Sequence, residues 1–211
     1  RAHTGHGGEI QPEEMTVFQS LPESILVGGA NIPINTDFRA SIRFEALMQD
    51  ARRTDEERVS GMLEAYFGES ALPAVYAACE AGKAEALFQA VMDFYRCGAP
   101  EPPQSPRRAP RTYDFIADER RIYAAFSEQY GVDLYAVPYL HWWKFSAMFS
   151  GLSDATELAK IMHIRAAEFE KGMSAKERAA LRRAKKLYAL PDLRTDDERD
   201  ADFAEAFAAM F

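Results

Sequence analysis

YLHWWKFSAMF, the stretch from Tyr139 to Phe149, decides the fold of this chain. It holds the only two tryptophans of the sequence side by side, next to a histidine and a lysine. On a helix, residues three and four positions apart share a face, so Tyr139, Trp142, Phe145 and Phe149 form one apolar stripe with Trp143 beside it. A stripe of this width predicts a central core helix, and an exposed partner-binding face is the alternative.

The ends of this helix are marked by Pro138, near its predicted start, and Gly151, just past its last turn. His141 lies inside the stretch, and His163 lies on a later predicted helix. Neither histidine has a nucleophile, a carboxylate or a metal ligand at helical spacing in the sequence. We therefore predict that both are structural.

Outward from this stretch, most of the sequence has helical periodicity. Three Ser/Thr–x–x–Glu capping boxes predict helix starts, at Thr54–Glu57, Ser174–Glu177 and Thr195–Glu198. Near the N-terminus, the apolar runs Ile25–Val27 and Ile32–Ile34 flank a glycine-rich turn and predict a hairpin. The expected fold is mainly α, with about eight helices around a single core and a short N-terminal β-hairpin. We predict that the helix after the hairpin runs to Arg53.

Composition divides the chain into five predicted parts. Residues 1–14 are polar and glycine-rich, typical of a leader or flexible arm. Residues 15–98 form the hairpin and a first helical lobe, and residues 113–192 form a second helical lobe. Between them, residues 99–112 are rich in proline, which favours a loop or linker. Residues 193–211 are predicted to form an acidic, amphipathic C-terminal helix.

Motifs that carry catalysis or bind cofactors are absent from the sequence. It contains no GxSxG, HExxH, CxxC or phosphate-binding loop, and Cys79 and Cys97 are expected to be buried, reduced thiols. Acidic triplets at Asp55–Glu57 and Asp196–Glu198 lie at predicted helix N-termini, where the helix dipole favours anions. We therefore expect no enzymatic activity, no metal and no cofactor.

The net charge of −8 disfavours a general nucleic-acid binder, because phosphate binding needs clustered cations. No apolar run approaches the ~20 residues of a membrane span, so no membrane partner is expected. One predicted helix, Lys176 to Lys186, is strongly basic, and Leu181, Ala184, Leu187 and Tyr188 give it a buried-type face. Its cations fit a solvated surface, an acidic protein partner or nucleic acid.

Several short motifs occur in the order found in one known protein family. They are Ile32–Arg39 with Phe44-Glu45; Tyr113–Phe115, Ile122–Phe126, Gln129–Gly131, Tyr139–Phe145 and Gly151–Ser153; and Lys160–Met162, Arg165 and Lys185–Asp192. In this order they resemble the bacteriophage gene product fifteen family of long-tailed phage tail assembly chaperones. The most specific element is Tyr139–Phe145, whose residues Tyr139, Trp142, Trp143 and Phe145 are expected in the core. His163 departs from the family pattern, where a glycine is expected.

The resemblance implies a non-enzymatic chaperone that binds the phage tape measure protein and assists assembly of the tail tube from tail tube protein. Such a protein acts in the host cell cytoplasm during phage assembly and is absent from the mature virion. Self-association into a homo-oligomer is a further expectation. The alternatives are a structural tail or connector component of the virion, and a regulatory or nucleic-acid-binding protein that uses the basic helix.

Four apolar residues of the last predicted helix are candidates for partner binding. Phe203, Phe207, Met210 and Phe211 lie on one side of an otherwise acidic segment. Three alternatives are open for this segment: it packs on the rest of the same chain, it binds a neighbouring subunit or a partner, or it stays disordered.

Overall fold

The structure, a computed structural model, describes residues 20–100 and 110–195. Within these ranges the chain forms two strands and eight helices. They are β1 (Ser24–Val27), β2 (Ala30–Pro33), α1 (Phe38–Gln49), α2 (Asp55–Tyr66), α3 (Leu72–Glu80), α4 (Ala84–Tyr95), α5 (Glu119–Tyr130), α6 (Trp142–Ser150), α7 (Glu157–Ala166) and α8 (Ala175–Leu187). The predicted fold class, mainly α with a short N-terminal hairpin, is confirmed.

The hairpin is antiparallel and closes through a two-residue turn. Val27 pairs with Ala30, so only Gly28 and Gly29 connect the strands. Both glycines have positive φ angles, of 56° and 90°, which side chains disfavour and which a tight hairpin of this twist requires. Ile25 and Ile32 pair across the strands and are buried, which anchors the hairpin on the helices.

Local capping sets the ends of the helices. The capping boxes at Thr54–Glu57 and Ser174–Glu177 are both formed, and the third, at Thr195–Glu198, extends outside the described residues. Asp37 caps α1 by accepting a hydrogen bond from the Arg39 amide at 3.0 Å. The predicted extension of this helix to Arg53 is wrong, because Asp50 has an extended backbone and ends α1 at Gln49.

Helix α6 lies at the centre of the molecule. The Phe145 ring, which is fully buried, stacks on Phe38 of α1 at 4.8 Å and on Phe126 of α5 at 4.9 Å between centroids. Phe38 precedes the proline-rich segment and Phe126 follows it, and both belong to one hydrophobic cluster. The expectation of a single core is therefore confirmed, while the boundaries of the five predicted parts stay a prediction.

Two expectations about core membership were wrong. Cys79 is exposed and Cys97 is only partly buried. Cys97 also has a positive φ of 57°, at the turn that ends α4. Leu187, predicted on a buried-type face of α8, is 74% exposed. Helical spacing identifies residues that share a face, but it does not reveal whether another element covers that face.

A buried ion pair fixes the path of the chain after α8. The Asp118 side chain is fully buried and accepts hydrogen bonds from the Arg165 guanidinium, one of them at 2.9 Å. Arg165 also donates to the backbone carbonyl of Tyr188 at 2.7 Å. Beyond this point, the Ala51 amide donates to the Leu193 carbonyl at 3.2 Å. Hydrogen bonds thus hold the segment that follows α8 against the rest of the domain, as far as the connection between α1 and α2.

Candidate protein-binding surfaces

The tryptophan pair holds the C-terminal end of α4. The Trp142 indole nitrogen donates to the Tyr95 carbonyl at 2.7 Å, and the Trp143 indole nitrogen donates to the Phe94 carbonyl at 2.9 Å. Carbonyls in the last turn of a helix lack the usual partners within the helix. The Phe94 carbonyl also accepts a hydrogen bond from the Cys97 amide at 3.0 Å, so the indole of Trp143 is its second donor. Trp142 is buried and Trp143 half-buried. The pair has a structural role at the junction of α4 and α6.

His141 is the N-cap of α6. Its Nδ1 accepts a hydrogen bond from the Trp143 amide at 3.0 Å, so Nε2 carries the proton and donates to the Pro22 carbonyl at 3.0 Å. Both ring nitrogens of this buried side chain are therefore used within the fold. The same junction joins two helix starts, because the Phe38 amide donates to the Leu140 carbonyl at 2.9 Å.

Tyr139 does not lie on the helix that the sequence predicted. Helix α6 begins at Trp142, not near Pro138, because His141 supplies the cap. Tyr139 is 53% exposed, and its hydroxyl is hydrogen-bonded to the Thr36 hydroxyl at 2.7 Å. The predicted four-residue stripe is thus corrected to Trp142, Phe145 and Phe149.

Beside the tryptophans lies a cavity of about 480 Å³ with the carboxyl of Glu45 at its wall. Glu45 is buried and accepts hydrogen bonds from the Tyr95 hydroxyl and, at 2.7 Å, from the Gln49 amide. Burial raises the pKa of Glu45, and hydrogen bonds from Tyr95 and Tyr113 only partly oppose this effect. Both carboxyl oxygens have partners, so the cluster ties α1 to α4 and offers no free carboxylate to a ligand.

The described chain brings one histidine to a carboxylate. His163 Nε2 lies 3.2 Å from Asp154, and both side chains are largely exposed. Helical spacing did not predict this pair, because Asp154 precedes α7 and lies nine residues before His163. Among residues 20–100 and 110–195, no group of three or more His, Cys, Asp or Glu side chains is placed to hold a metal ion. None of the helices described is long and apolar enough to cross a membrane.

An open apolar groove of about 320 Å³ lies between α1 and the segments at both ends of α5. Its floor is apolar and includes Phe38, Ile42 and Leu134. At its edge, Ile116 is 63% exposed and Tyr135 is 60% exposed. Arg43, also exposed, lines the groove and makes no ion pair with the described residues. This surface was not predicted from the sequence, because Ile116 and Tyr135 lie in turns without helical periodicity.

Helix α8 is an exposed basic surface. None of its residues is buried, and its apolar residues Leu181, Ala184 and the following Tyr188 are only half-buried. In the part of the chain that the structure describes, no cation of α8 forms an ion pair with a carboxylate. Three of them have other contacts: Lys185 donates to the Arg165 carbonyl at 2.7 Å, Arg178 donates to the Glu170 carbonyl at 3.4 Å, and the Arg182 guanidinium lies 5.9 Å from the Phe169 ring.

The candidate partner-binding residues of the last predicted helix cannot be placed on these surfaces. Phe203, Phe207, Met210 and Phe211 all lie outside the described residues. Their role in partner binding stays a prediction.

Comparison with known proteins places this chain among the structural and assembly proteins of bacteriophages. The family model described as Bacteriophage Gp15 protein matches residues 17–190, which is most of the chain, so the chain belongs to that family. The match confirms the resemblance to the gene product fifteen family that the motifs from Ile32 onward carry. No curated protein and no solved structure matches the chain.

Proposed function

We propose that this protein is a phage tail assembly chaperone that binds the tape measure protein and assists assembly of the tail tube. Its family membership supports a role in phage structure or assembly. The observation that favours a chaperone is the open groove between α1 and α5, where Ile116 and Tyr135 expose large apolar side chains. Such side chains are costly to leave in water and are typical of a surface that binds a partner.

The groove suits an amphipathic helical client. Apolar side chains on one face of a helix insert into an apolar groove, while the polar face remains in water. Exposed aromatic residues such as Tyr135 are favoured at the centres of such interfaces. Arg43 and Glu119 both line the groove, so charged groups of either sign are available to pair with polar residues of the client. The family resemblance implies a tape measure protein that is long, helical and prone to aggregation, which makes it a fitting client.

The proposed chaperone acts in the host cytoplasm and leaves before the particle is complete. A groove of about 320 Å³ covers only a short part of a long client. Each single contact is therefore weak and reversible, and strong retention of the client requires several copies that act together. Weak individual contacts also permit release when tail tube protein polymerises around the same client.

Co-expression with the tape measure reading frame tests this function. The native protein is expected to keep the tape measure protein soluble, and Ile116→Glu and Tyr135→Ser are expected to lose this effect. Val59→Glu is a matched control, because Val59 is 54% exposed on α2 and lines no described cavity. If the groove variants solubilise the client as well as the native protein, the groove is not the binding site. If the native protein fails as well, the chaperone function is wrong.

The alternative, a structural tail or connector component, is distinguished by the composition of purified particles. Quantitative mass spectrometry is expected to find this protein absent or far below the stoichiometry of the tail tube protein. A fixed, stoichiometric presence in the particle would identify a virion component instead.

A further inference from the structure

We propose that residues 196–211 of one copy, here called the C-terminal segment, dock on the basic face of α8 of a second copy, so that copies join head to tail. The proposal names a surface by which copies of the proposed chaperone bind one another. Only the biological purpose of this association rests on the proposed function. The association itself requires no client.

The acceptor surface is α8, which carries six cations and one carboxylate, a net charge of +5 in a chain of net charge −8. Five of the six cations are exposed: Lys176, Arg178, Arg182, Arg183 and Lys186. Exposed cations on a helix that also presents Leu187, 74% exposed, form a surface that is both charged and apolar. Such a surface is best covered by an acidic partner with apolar side chains.

The C-terminal segment has this chemistry. It contains six carboxylates and one arginine, a net charge of −5 that matches the +5 of α8. Its apolar residues Phe203, Phe207, Met210 and Phe211 recur at helical spacing. An acidic helix with one apolar face would place its phenylalanines on the apolar positions of α8, beside Leu187, and its carboxylates near the cations. Each new ion pair at such an exposed surface is weak, so the complementarity acts through the whole set of charges.

The course of the chain favours a second copy over the same copy as acceptor. Residues 188–193 are held at three points: by Arg165 on the Tyr188 carbonyl at 2.7 Å, by Arg111 on the Pro191 carbonyl at 2.7 Å, and by Ala51 on the Leu193 carbonyl at 3.2 Å. The C-terminal segment therefore starts beside the α1–α2 connection, whereas α8 packs mainly against α7. To cover α8 of the same copy, the C-terminal segment would have to turn back over residues 188–193. The α8 of a second copy requires no such reversal.

Donor and acceptor are different parts of the chain, so the contact is heterologous. A heterologous contact that does not close into a ring repeats into an open chain of copies. In the proposed function, such a chain presents one groove per copy along a long client, and the summed contacts hold it by avidity.

The test combines two full-length variants. The acceptor variant reverses the charge of three positions on α8, by Arg182→Glu, Arg183→Glu and Lys186→Glu. The donor variant removes apolar side chains of the C-terminal segment, by Phe203→Ser and Phe207→Ser. Light scattering after size exclusion, over a series of protein concentrations, is expected to show native oligomers that grow with concentration and dissociate in about 1 M salt, where the Debye length is only about 3 Å. Each variant alone is expected to be monomeric.

Mixing the two variants is the decisive measurement. The acceptor variant keeps an intact C-terminal segment and the donor variant keeps an intact α8, so the mixture is expected to form a two-chain species and nothing larger. The control Arg120→Glu, Lys144→Glu and Lys160→Glu makes the same charge change at exposed cations elsewhere and is expected to assemble like the native protein.

Three results would overturn the proposal. A native protein that stays monomeric, with α8 protected from hydrogen exchange only when Phe203 and Phe207 are intact, would show docking within one copy. Oligomers unaffected by the acceptor variant would place the contact elsewhere. Salt-dependent binding of DNA or RNA that is lost in the acceptor variant, without oligomers in the native protein, would assign α8 to nucleic acid. None of these results depends on the tape measure protein, so failure of the assembly and failure of the chaperone function are separate outcomes.

Discussion

Trp142 holds Tyr95 in two ways at once: its indole nitrogen donates to the Tyr95 carbonyl at 2.7 Å, and its ring stacks on the Tyr95 ring at 5.5 Å between centroids. The Tyr95 hydroxyl in turn donates to Glu45 of α1. One tryptophan therefore connects α6 to the end of α4 and, through Tyr95, to α1. This relationship gives the most distinctive motif of the chain a role in the fold.

Trp142→Ala is expected to destabilise the protein by about 3–5 kcal/mol, because it leaves a cavity and removes the partner of the Tyr95 carbonyl. Urea denaturation followed by circular dichroism measures this loss. Tyr139→Phe is the comparison in the same motif, since it removes only the hydrogen bond to Thr36 and is expected to cost about 0.5–1.5 kcal/mol. A stable, folded Trp142→Ala protein that fails only to bind its client would show that the motif is part of the binding surface.

The stability of the Glu45→Gln variant, compared with that of the native protein, is expected to increase as pH rises. Burial raises the pKa of Glu45 above its ordinary value of 4.5. Folding therefore favours the neutral form of Glu45. The stabilisation that this form provides is fully present below pH 4.5 and is lost as pH rises through the raised pKa. A glutamine stays neutral throughout. The measurement is the difference in unfolding free energy between native and variant protein across this range, and a pH-independent difference would contradict the assignment.

Arg165→Met is expected to cost about 3–5 kcal/mol, because it leaves the fully buried Asp118 carboxylate without its main partner. It also removes the hydrogen bond to the Tyr188 carbonyl, so faster amide exchange is expected in residues 188–193. Arg53→Ala is the control: it removes the half-exposed Arg53 side chain from its ion pairs with Glu57 and Asp50 and is expected to cost no more than about 1 kcal/mol. Equal losses in the two variants would argue against a special role for Arg165.

The same ion pair predicts sensitivity to acid. Burial by itself raises the pKa of Asp118, but the hydrogen bonds and charge of Arg165, together with hydrogen bonds from the Asp114 amide and Arg121, outweigh this effect and lower the pKa below its ordinary value of 3.8. The stabilisation is therefore complete above pH 3.8 and is lost as pH falls through the lowered pKa. Acid titration by circular dichroism is expected to show that Asp118→Asn, already destabilised at neutral pH, loses less further stability in this range than the native protein.

Deletion of residues 195–211 is expected to leave the described domain folded and to abolish self-association or client binding. Circular dichroism and light scattering on the same samples measure the two effects. A fall in helical content well beyond the share of the deleted residues would mean that the segment is part of the fold. The substitutions at Phe203 and Phe207 then remain as the milder test of its binding role.

The sequence by itself determined much of the local structure, although not the end of α1 or the start of α6. The glycine-rich hairpin turn and the capping boxes at Thr54–Glu57 and Ser174–Glu177 were readable, because each depends on contacts within about four residues. The order of the motifs also sufficed to indicate the family. The mainly α class followed from the helical spacing of apolar residues.

Only the tertiary structure decided which faces are covered. Tyr139 lies outside α6 because His141, bonded to Pro22 far away in sequence, sets the helix start. Leu187 is exposed because no described element covers that face of α8, and the groove beside Ile116 exists because α1 and α5 leave a gap. Periodicity specifies a face but not its neighbour, and burial depends on contacts between residues distant in sequence, whose free energy appears only once the helices have packed.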